Sequence, residues 1–383
     1  MCKIKGVFIL LVIVFLFSVI INRELYAADI YPEIKIKKEN NFDNFSFNIS
    51  GLISDVGFDL EEYYFQSDFL NGQLTVGRKY VKSGPGYFSQ LMLSNQNTPL
   101  DFIIHQGKIK FIHINSDYTM MVAYLGEKSN KQLFHHRVSN KTLIKGLELG
   151  ISEAMMVSEK INPAYYLPLP FLPYYLTAYI SGLYNDYNYH DDKYIGLDFN
   201  YKFNNSLELY GELLVDEFPQ SPGNRNPDKR AHLLGIYYPF AEKTNFRIEY
   251  SNVFNYVYLH HFPENRYTFD GKYIGHWLGN DGDVLDLQLA RDLDRSTTIK
   301  VGFRYLRKGI GDMQTDYSAE PDYQEKKFLA EIRRREALIR LGYEKNITDN
   351  LELKIDSEIG KAILEEKAEK SIFNINIGIV VSL

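Results

Sequence analysis

The sequence predicts an all-β fold, a transmembrane antiparallel β-barrel of about 16–18 strands. Three observations carry this. Apolar and polar residues alternate with period two over stretches of about 9–11 residues, the length a tilted strand needs to cross a bilayer. Short polar turns such as "FNNS" and "ITDN" separate these stretches. Aromatic residues make up 15 % of the chain, with 30 Tyr and 25 Phe, as the interfacial girdles of such barrels require.

The chain opens on Lys3 and Lys5, then a run of fifteen almost wholly apolar residues from Val7 to Ile21, then Leu25-Tyr26-Ala27 as a cleavage site. That is the layout of a secretory signal peptide over residues 1–27, leaving 28–383 as a single outer-membrane barrel domain. Fifteen residues fall short of the roughly 20 a spanning helix needs. Cys2 leaves with the leader, so the mature chain has no disulfide and no thiolate metal site. The leader carries three basic and one acidic residue, so 43 Lys+Arg and 49 Asp+Glu become 40 and 48, a net charge near −8. A nucleic-acid partner would need the opposite sign.

The alternation can be read strand by strand. In "YIGLDFNYKF", Ile195, Leu197, Phe199, Tyr201 and Phe203 face Gly196, Asp198, Asn200 and Lys202. In "SLELYGELLVD", Leu207, Leu209, Gly211, Leu213 and Val215 share one face, and Glu208, Tyr210, Glu212 and Asp216 the other. "TIKVGFRYL" sets Ile299, Val301, Phe303 and Tyr305 against Lys300, Gly302 and Arg304. "SIFNINIGIVVSL" runs to the last residue, Leu383, with Phe373, Ile375, Ile377, Ile379 and Val381 on one side. Apolar faces meet lipid, polar faces line a wet lumen, and closure pairs every backbone group.

Two segments break the pattern. Gly84-Pro85-Gly86 forms an elbow, followed by an apolar burst (Phe88, Leu91, Met92, Leu93) and a polar Ser-Asn-Gln-Asn-Thr-Pro run. The burst needs a dry partner, inside the barrel or on the second irregular segment. That segment, residues 162–187, carries Pro163, Pro168, Pro170 and Pro173 and cannot be a central strand. It is expected in the lumen, or as a short helix at one barrel mouth.

Several groups of chemically able residues are present. Gly279 to Asp286, "GNDGDVLD", is read as a solvated rim turn in preference to a calcium loop, since it lacks EF-hand spacing. His135-His136 and His260-His261 are read as rim histidines. Neighbours on a strand point to opposite faces and cannot chelate together. Arg333, Arg334, Arg335 and Arg340 either bind anionic polysaccharide or lipopolysaccharide phosphate, or pair with Glu331 and Glu336. Glu153, Glu212, Asp216 and Glu217 are the carboxylates a hydrolase reading would use. Aromatic rings beside acids, as at Tyr87, Phe88, Tyr165, Tyr166, Tyr174 and Tyr175, suit a sugar. No cofactor or metal is expected.

"VGRKYVKSGPGYFSQLMLSNQNTPLDFI" resembles the signature of the capsule-assembly Wzi family. Three further pieces are similar in the same order: "LELGISEAMMV" (Gly150, Glu153), "LYGELLVDEF" (Tyr210, Gly211, Glu212, Asp216) and "RYTFDGKYIGHWLGNDGDVLDLQL" (Tyr267, Thr268, Gly271, Gly275, His276, Gly279, Asp283). Ser83 stands where the pattern often has Trp, and Asp216-Glu217 where two Asp are common. The resemblance implies an outer-membrane barrel of 18 strands, occluded by loops, with a small periplasmic helical portion. It also implies a non-enzymatic role in holding surface polysaccharide. Tyr87, Arg78, Glu153, Glu212, Asp216, Tyr267 and His276 are then the expected polysaccharide-binding residues, with Gly84, Pro85 and Gly86 as a structural motif that aims a lumen-occluding segment. Expected partners are capsular or other surface polysaccharide, outer-membrane lipid and lipopolysaccharide, and the barrel-assembly machinery, with the protein a monomer. The alternative is a porin or substrate-specific channel, and a hydrolase is a third reading.

Overall fold

The structure, a computed structural model, describes residues 29–41, 45–54, 57–111, 114–126, 130–158, 161–166, 173–174, 191–204, 206–217, 229–315, 328–329, 331–364 and 369–383. Residues 1–27, assigned above to the leader, lie outside the described residues. The wall is built from β1 (Asp29–Asn41), β2 (Phe45–Ser54), β3 (Gly57–Phe69), β4 (Gly72–Lys79), β5 (Leu100–Phe111), β6 (Ile114–Tyr124), β7 (Gln132–Ile144), β8 (Leu147–Val157), β9 (Asp192–Lys202), β10 (Glu208–Glu217), β11 (Lys229–Ala241) and β12 (Thr244–Val253). It continues, after a two-residue ladder of β13 (Thr268–Phe269) and β14 (Lys272–Tyr273), with β15 (Gly282–Asp292), β16 (Thr297–Lys308), β17 (Arg334–Thr348), β18 (Leu351–Leu364) and β19 (Glu369–Ser382).

Among the described residues seventeen strands form one closed sheet, inside the expected range and one short of eighteen. Each strand pairs antiparallel with the next, but β1 and β19 close the ring in parallel, from Asp29 opposite Asn374 to Lys37 opposite Ser382. The odd count requires this: an up-and-down meander with an odd number of strands brings its first and last strands together pointing the same way. The helical content described is limited to two 3-10 turns, Pro163–Tyr166 and Pro263–Asn265, and single-residue Tyr174.

The alternation sorts as the pattern requires. Ile195 and Leu197 on β9 and Val301 and Phe303 on β16 stand exposed on the outer wall, while Asp198, Tyr210, Glu212 and Asp286 are buried on the inner one. At one mouth the connections are two to five residues long, as in the Leu70-Asn71 turn, where both residues take positive φ (43° and 58°) and let β3 fold straight back on β4. At the other mouth lie the long connections 80–99, 158–191, 254–281 and 309–333. Short turns mark the periplasmic side of such barrels and long loops the outside.

The hydrophobic core sits inside the barrel. Leu91, Met92 and Leu93 from the β4–β5 connection pack with Val257, Tyr258, Tyr267 and Ile274 from the β12–β15 connection. Both limbs press on the inward residues Met121, Leu133, Ala154, Tyr194 and Leu214 of the wall. The apolar burst after the elbow thus finds its dry partner in the lumen.

Residues 161–166 and 173–174 sit elsewhere. Ala164, Tyr165 and Tyr174 pack on Phe134, Met155 and Val157. These are outward residues: Phe134 is in register with Val122 and Met155, and Val122 with Ile103, which is exposed to the outside. The described part of the proline-rich segment therefore straps the outer wall near the long-loop mouth, which corrects the expectation of a lumen location. The rest of 162–187 lies outside the described residues.

Candidate functional site

The elbow closes on itself, with Ser83 N donating to Leu93 O at 2.9 Å. Inside that closure four backbone amides point at two strand carboxylates. Glu212 on β10 accepts from Gly86 N at 2.7 Å and Leu91 N at 2.7 Å. Glu249 on β12 accepts from Tyr87 N at 2.7 Å, Phe88 N at 3.1 Å and the Tyr210 hydroxyl at 2.9 Å. Two strand carboxyl groups thus serve four backbone amides of the elbow.

Glycine is required at the bend. Gly84 takes φ +118°, and a Cβ there would meet the Glu212 carboxylate well inside contact distance. At Gly86 an added Cβ would strike Ser89 O. Gly84→Val is expected to cost about 2–4 kcal/mol, from a disallowed backbone conformation plus overpacking. The check is the temperature at which the folded, heat-modifiable gel band is lost; an unchanged temperature would refute the assignment of the elbow as a fixed structural element.

The second limb locks onto the first. The Tyr258 hydroxyl donates to Leu91 O at 2.6 Å, Ser94 N donates to Ile274 O at 3.0 Å, and Asn97 Nδ2 donates to Tyr273 O at 2.6 Å and Gly275 O at 2.7 Å. Its anchor on the wall is Asp216, which accepts from Tyr258 N at 2.8 Å and pairs with Lys229 at 3.5 Å. Tyr258 itself has φ +70°, a strained conformation for a bulky residue.

Each expected binding residue has a definite place. Glu212 and Asp216 hold the two limbs. Tyr267 is fully buried in the plug, its ring 4.4 Å from Tyr194 and stacked at 5.7 Å on Tyr258. His276 is buried in the same limb, its Nδ1 accepting from Leu278 N at 3.1 Å. Glu153 and Arg78 face outward. Glu153 is in register with exposed Ile195, lies under the strap, accepts from Tyr174 N at 2.7 Å and is 3.6 Å from His136. Arg78 pairs with Asp101 at 2.7 Å on the outer wall beside Tyr63 and Tyr124. Of these residues Tyr87 is the most exposed, at 41 %, with the Arg247 guanidinium 3.8 Å from its ring centre. Arg247 lies closer than Glu249 to the short turn between β11 and β12, so the Tyr87 ring stands on the short-turn side of the plug.

Two other readings change. The acidic stretch from Gly279 to Asp286 is no solvated turn: Asn280, Asp281, Asp283 and Asp286 are all buried. Asp281 accepts from Gly311 N at 2.9 Å, Asp283 binds Arg307 and the Tyr250 hydroxyl, and Asp286 binds Arg304 at 2.7 Å and Arg340 at 3.4 Å. Arginines thus supply the positive charge that a calcium reading would assign to an ion. His135 and His136 do point to opposite faces, but neither is at a rim: His135 is buried on the lumen side and His136 beneath the strap. Of the basic run, Arg334 pairs with Glu336, and Arg340 turns inward to Asp286 and Glu358. Sequence reasoning missed Glu249, whose strand "TNFRIEYSNV" carries no motif; its inward parity beside Arg247 was the available signal.

His276 makes the plug pH-sensitive. Burial, reinforced by Arg304 and Lys308, pushes its pKa down to about 3. The unfolded imidazole titrates near 6.5, so the unfolded loop takes up its proton first. The plug's stability is then complete above about pH 6.5 and falls as pH drops towards 3. Amide exchange in the limb around Leu278 is expected to speed up across that window, and His276→Gln to remove this component. An identical pH slope in the variant would rule His276 out as the titrating group.

Fold and site together define a plugged transmembrane β-barrel, one whose lumen is crossed by its own loops held on inward carboxylates. The chain belongs to the capsule assembly protein Wzi family, whose model matches residues 22–370, and it is an outer-membrane protein. Among solved structures it is similar to Escherichia coli Wzi, described as an outer-membrane protein involved in group 1 capsule assembly and a carbohydrate-binding β-barrel. That likeness has 17 % identity and a TM-score of 0.62, covers 87 % of this chain and 74 % of the other, and supports the fold. The Pseudomonas aeruginosa OccD3 structure is similar at 9 % identity and a TM-score of 0.45, over 85 % of this chain and 78 % of the other, too weak to carry an argument. A search of curated proteins found no match.

Proposed function

We propose that this barrel binds capsular or related surface polysaccharide and keeps it on the cell, as a lectin and without catalysis. The observation that carries the reading is the doubly anchored plug: Glu212, Glu249 and Asp216 fix two loops across the lumen, which suits display and binding better than solute passage. Membership of a capsule-assembly family and the carbohydrate binding ascribed to E. coli Wzi support it. In this reading Glu212, Asp216, Tyr267 and His276 act by holding the plug, while the Tyr87 ring, exposed on the short-turn side, meets sugar only from the periplasmic mouth. Glu153 holds the outer strap, and Arg78 braces the rim at the lipid and lipopolysaccharide boundary.

Residues 1–27 direct export, and 28–383 form one domain that the barrel-assembly machinery inserts as a monomer. The test is retention of polysaccharide from the producing organism by the immobilised barrel, paired with planar-bilayer recording. Retention with electrical silence is expected; open conductance steps without retention would favour the porin reading, and neither would overturn both.

A further inference from the structure

A lumen cavity lies against the underside of the elbow. It has a volume of about 550 Å³, within the ~300–1,000 Å³ typical of small-molecule sites. Its lining runs from Ser83 and Gly84 at the elbow to Gln106 and Asn200 in the short-turn halves of β5 and β9. On one side it presents Phe102, Ile104 and Met121, a continuous apolar surface. On the other, three buried polar atoms have no hydrogen-bond partner among the described residues: Ser83 Oγ, His135 Nε2 and Asn200 Oδ1. Ser83 and His135 are themselves 7 % and 1 % exposed.

The chemistry of those atoms selects the ligand. His135 Nδ1 lies 3.1 Å from the Glu153 carbonyl, which can only accept, so Nδ1 carries the proton and Nε2 of the neutral ring is an acceptor. Asn200 Oδ1 is an acceptor too, and the Ser83 hydroxyl can play either part. A bare anion cannot satisfy two acceptors; a ligand rich in hydroxyl groups can. Of the charges in the lining, Arg137 grips Asp198 through two bonds of 2.9 and 2.7 Å and reaches Glu148 at 3.4 Å, Lys79 lies 4.6 Å over the Tyr64 ring, and Lys82 is exposed. An apolar wall opposite a row of hydrogen-bonding atoms matches a pyranose, which has one C–H face and a rim of hydroxyls.

We propose that this cavity binds a single neutral hexose residue, with Ser83, His135 and Asn200 reading its hydroxyls and Phe102, Ile104 and Met121 meeting its C–H face. The inference rests on the polysaccharide-binding reading for its choice of ligand. It also gives Ser83, one of the departures from the family pattern, a specific task.

The experiment uses the full barrel in detergent, with 13C-methyl-labelled methionine and millimolar methyl α-D-glucopyranoside, methyl α-D-galactopyranoside and methyl glucuronide. A neutral hexoside is expected to shift the Met121 methyl resonance saturably, with the glucuronide weaker. Asn200→Leu and Ser83→Ala, each with the folded gel band retained, should weaken the hexoside roughly tenfold, the loss of about one hydrogen bond. No Met121 shift with any neutral hexoside overturns the proposal, as does equal affinity in both variants or preference for the glucuronide. Polymer retention without a hexoside shift sinks only this site; a saturable shift without polymer retention keeps the site and sinks the function proposed above.

Discussion

Replacing Glu212 with alanine is expected to release the elbow and raise the conductance of the barrel. The side chain accepts from Gly86 N and Leu91 N, both at 2.7 Å, in a part of the lumen that water does not reach. Without it, two buried amides lose their acceptor at about 1–3 kcal/mol each. The loss spreads, because Leu91 O receives the Tyr258 hydroxyl at 2.6 Å and so ties the second limb to the first. Planar-bilayer current and amide exchange over 84–93 read the outcome. Glu212→Gln, which keeps one carboxamide oxygen as acceptor, should fall between wild type and alanine. A variant with unchanged conductance and protection would mean that the plug is held by packing alone.

The second large effect is at Lys229. Its ammonium lies 3.5 Å from Asp216 Oδ1 and 2.9 Å from Leu259 O, and the two side chains are 1 % and 0 % exposed. Lys229→Met would take the cation away from the buried Asp216 carboxylate, and breaking a buried pair typically costs about 3–5 kcal/mol. Asp216 still has to accept from Tyr258 N, so the strained backbone there loosens as well. Loss of the folded gel band at a clearly lower temperature is expected. The double variant Lys229→Met with Asp216→Asn should recover much of the loss, because the buried charge is removed together with its cation. If the single and double variants melt alike, the pair is not what anchors the limb.

Several features of the molecule were readable from residue order. The in–out sorting of β9, β10 and β16 follows the alternation residue for residue, because a strand's side chains leave on opposite faces wherever the strand sits. The elbow was legible for the same local reason: Gly-Pro-Gly after a strand forces the chain out of the wall. Opposite directions for His135 and His136 also followed from parity alone.

Parity does not say which face is inner, nor what covers it. Glu153 and Glu212 are both strand acids in motif-like stretches, yet one lies under an outer strap and the other under the lumen plug. Arg78 carries a motif position and faces outward, while Glu249 carries none and holds the elbow. The sequence by itself determined a barrel wall with an elbow leaving it, since both depend on contacts between near neighbours. Only the tertiary structure decided which carboxylates receive the loop. Gly86 meets Glu212 across 126 residues and Tyr87 meets Glu249 across 162, and partners so far apart are set by ring closure and loop packing, which no local pattern encodes.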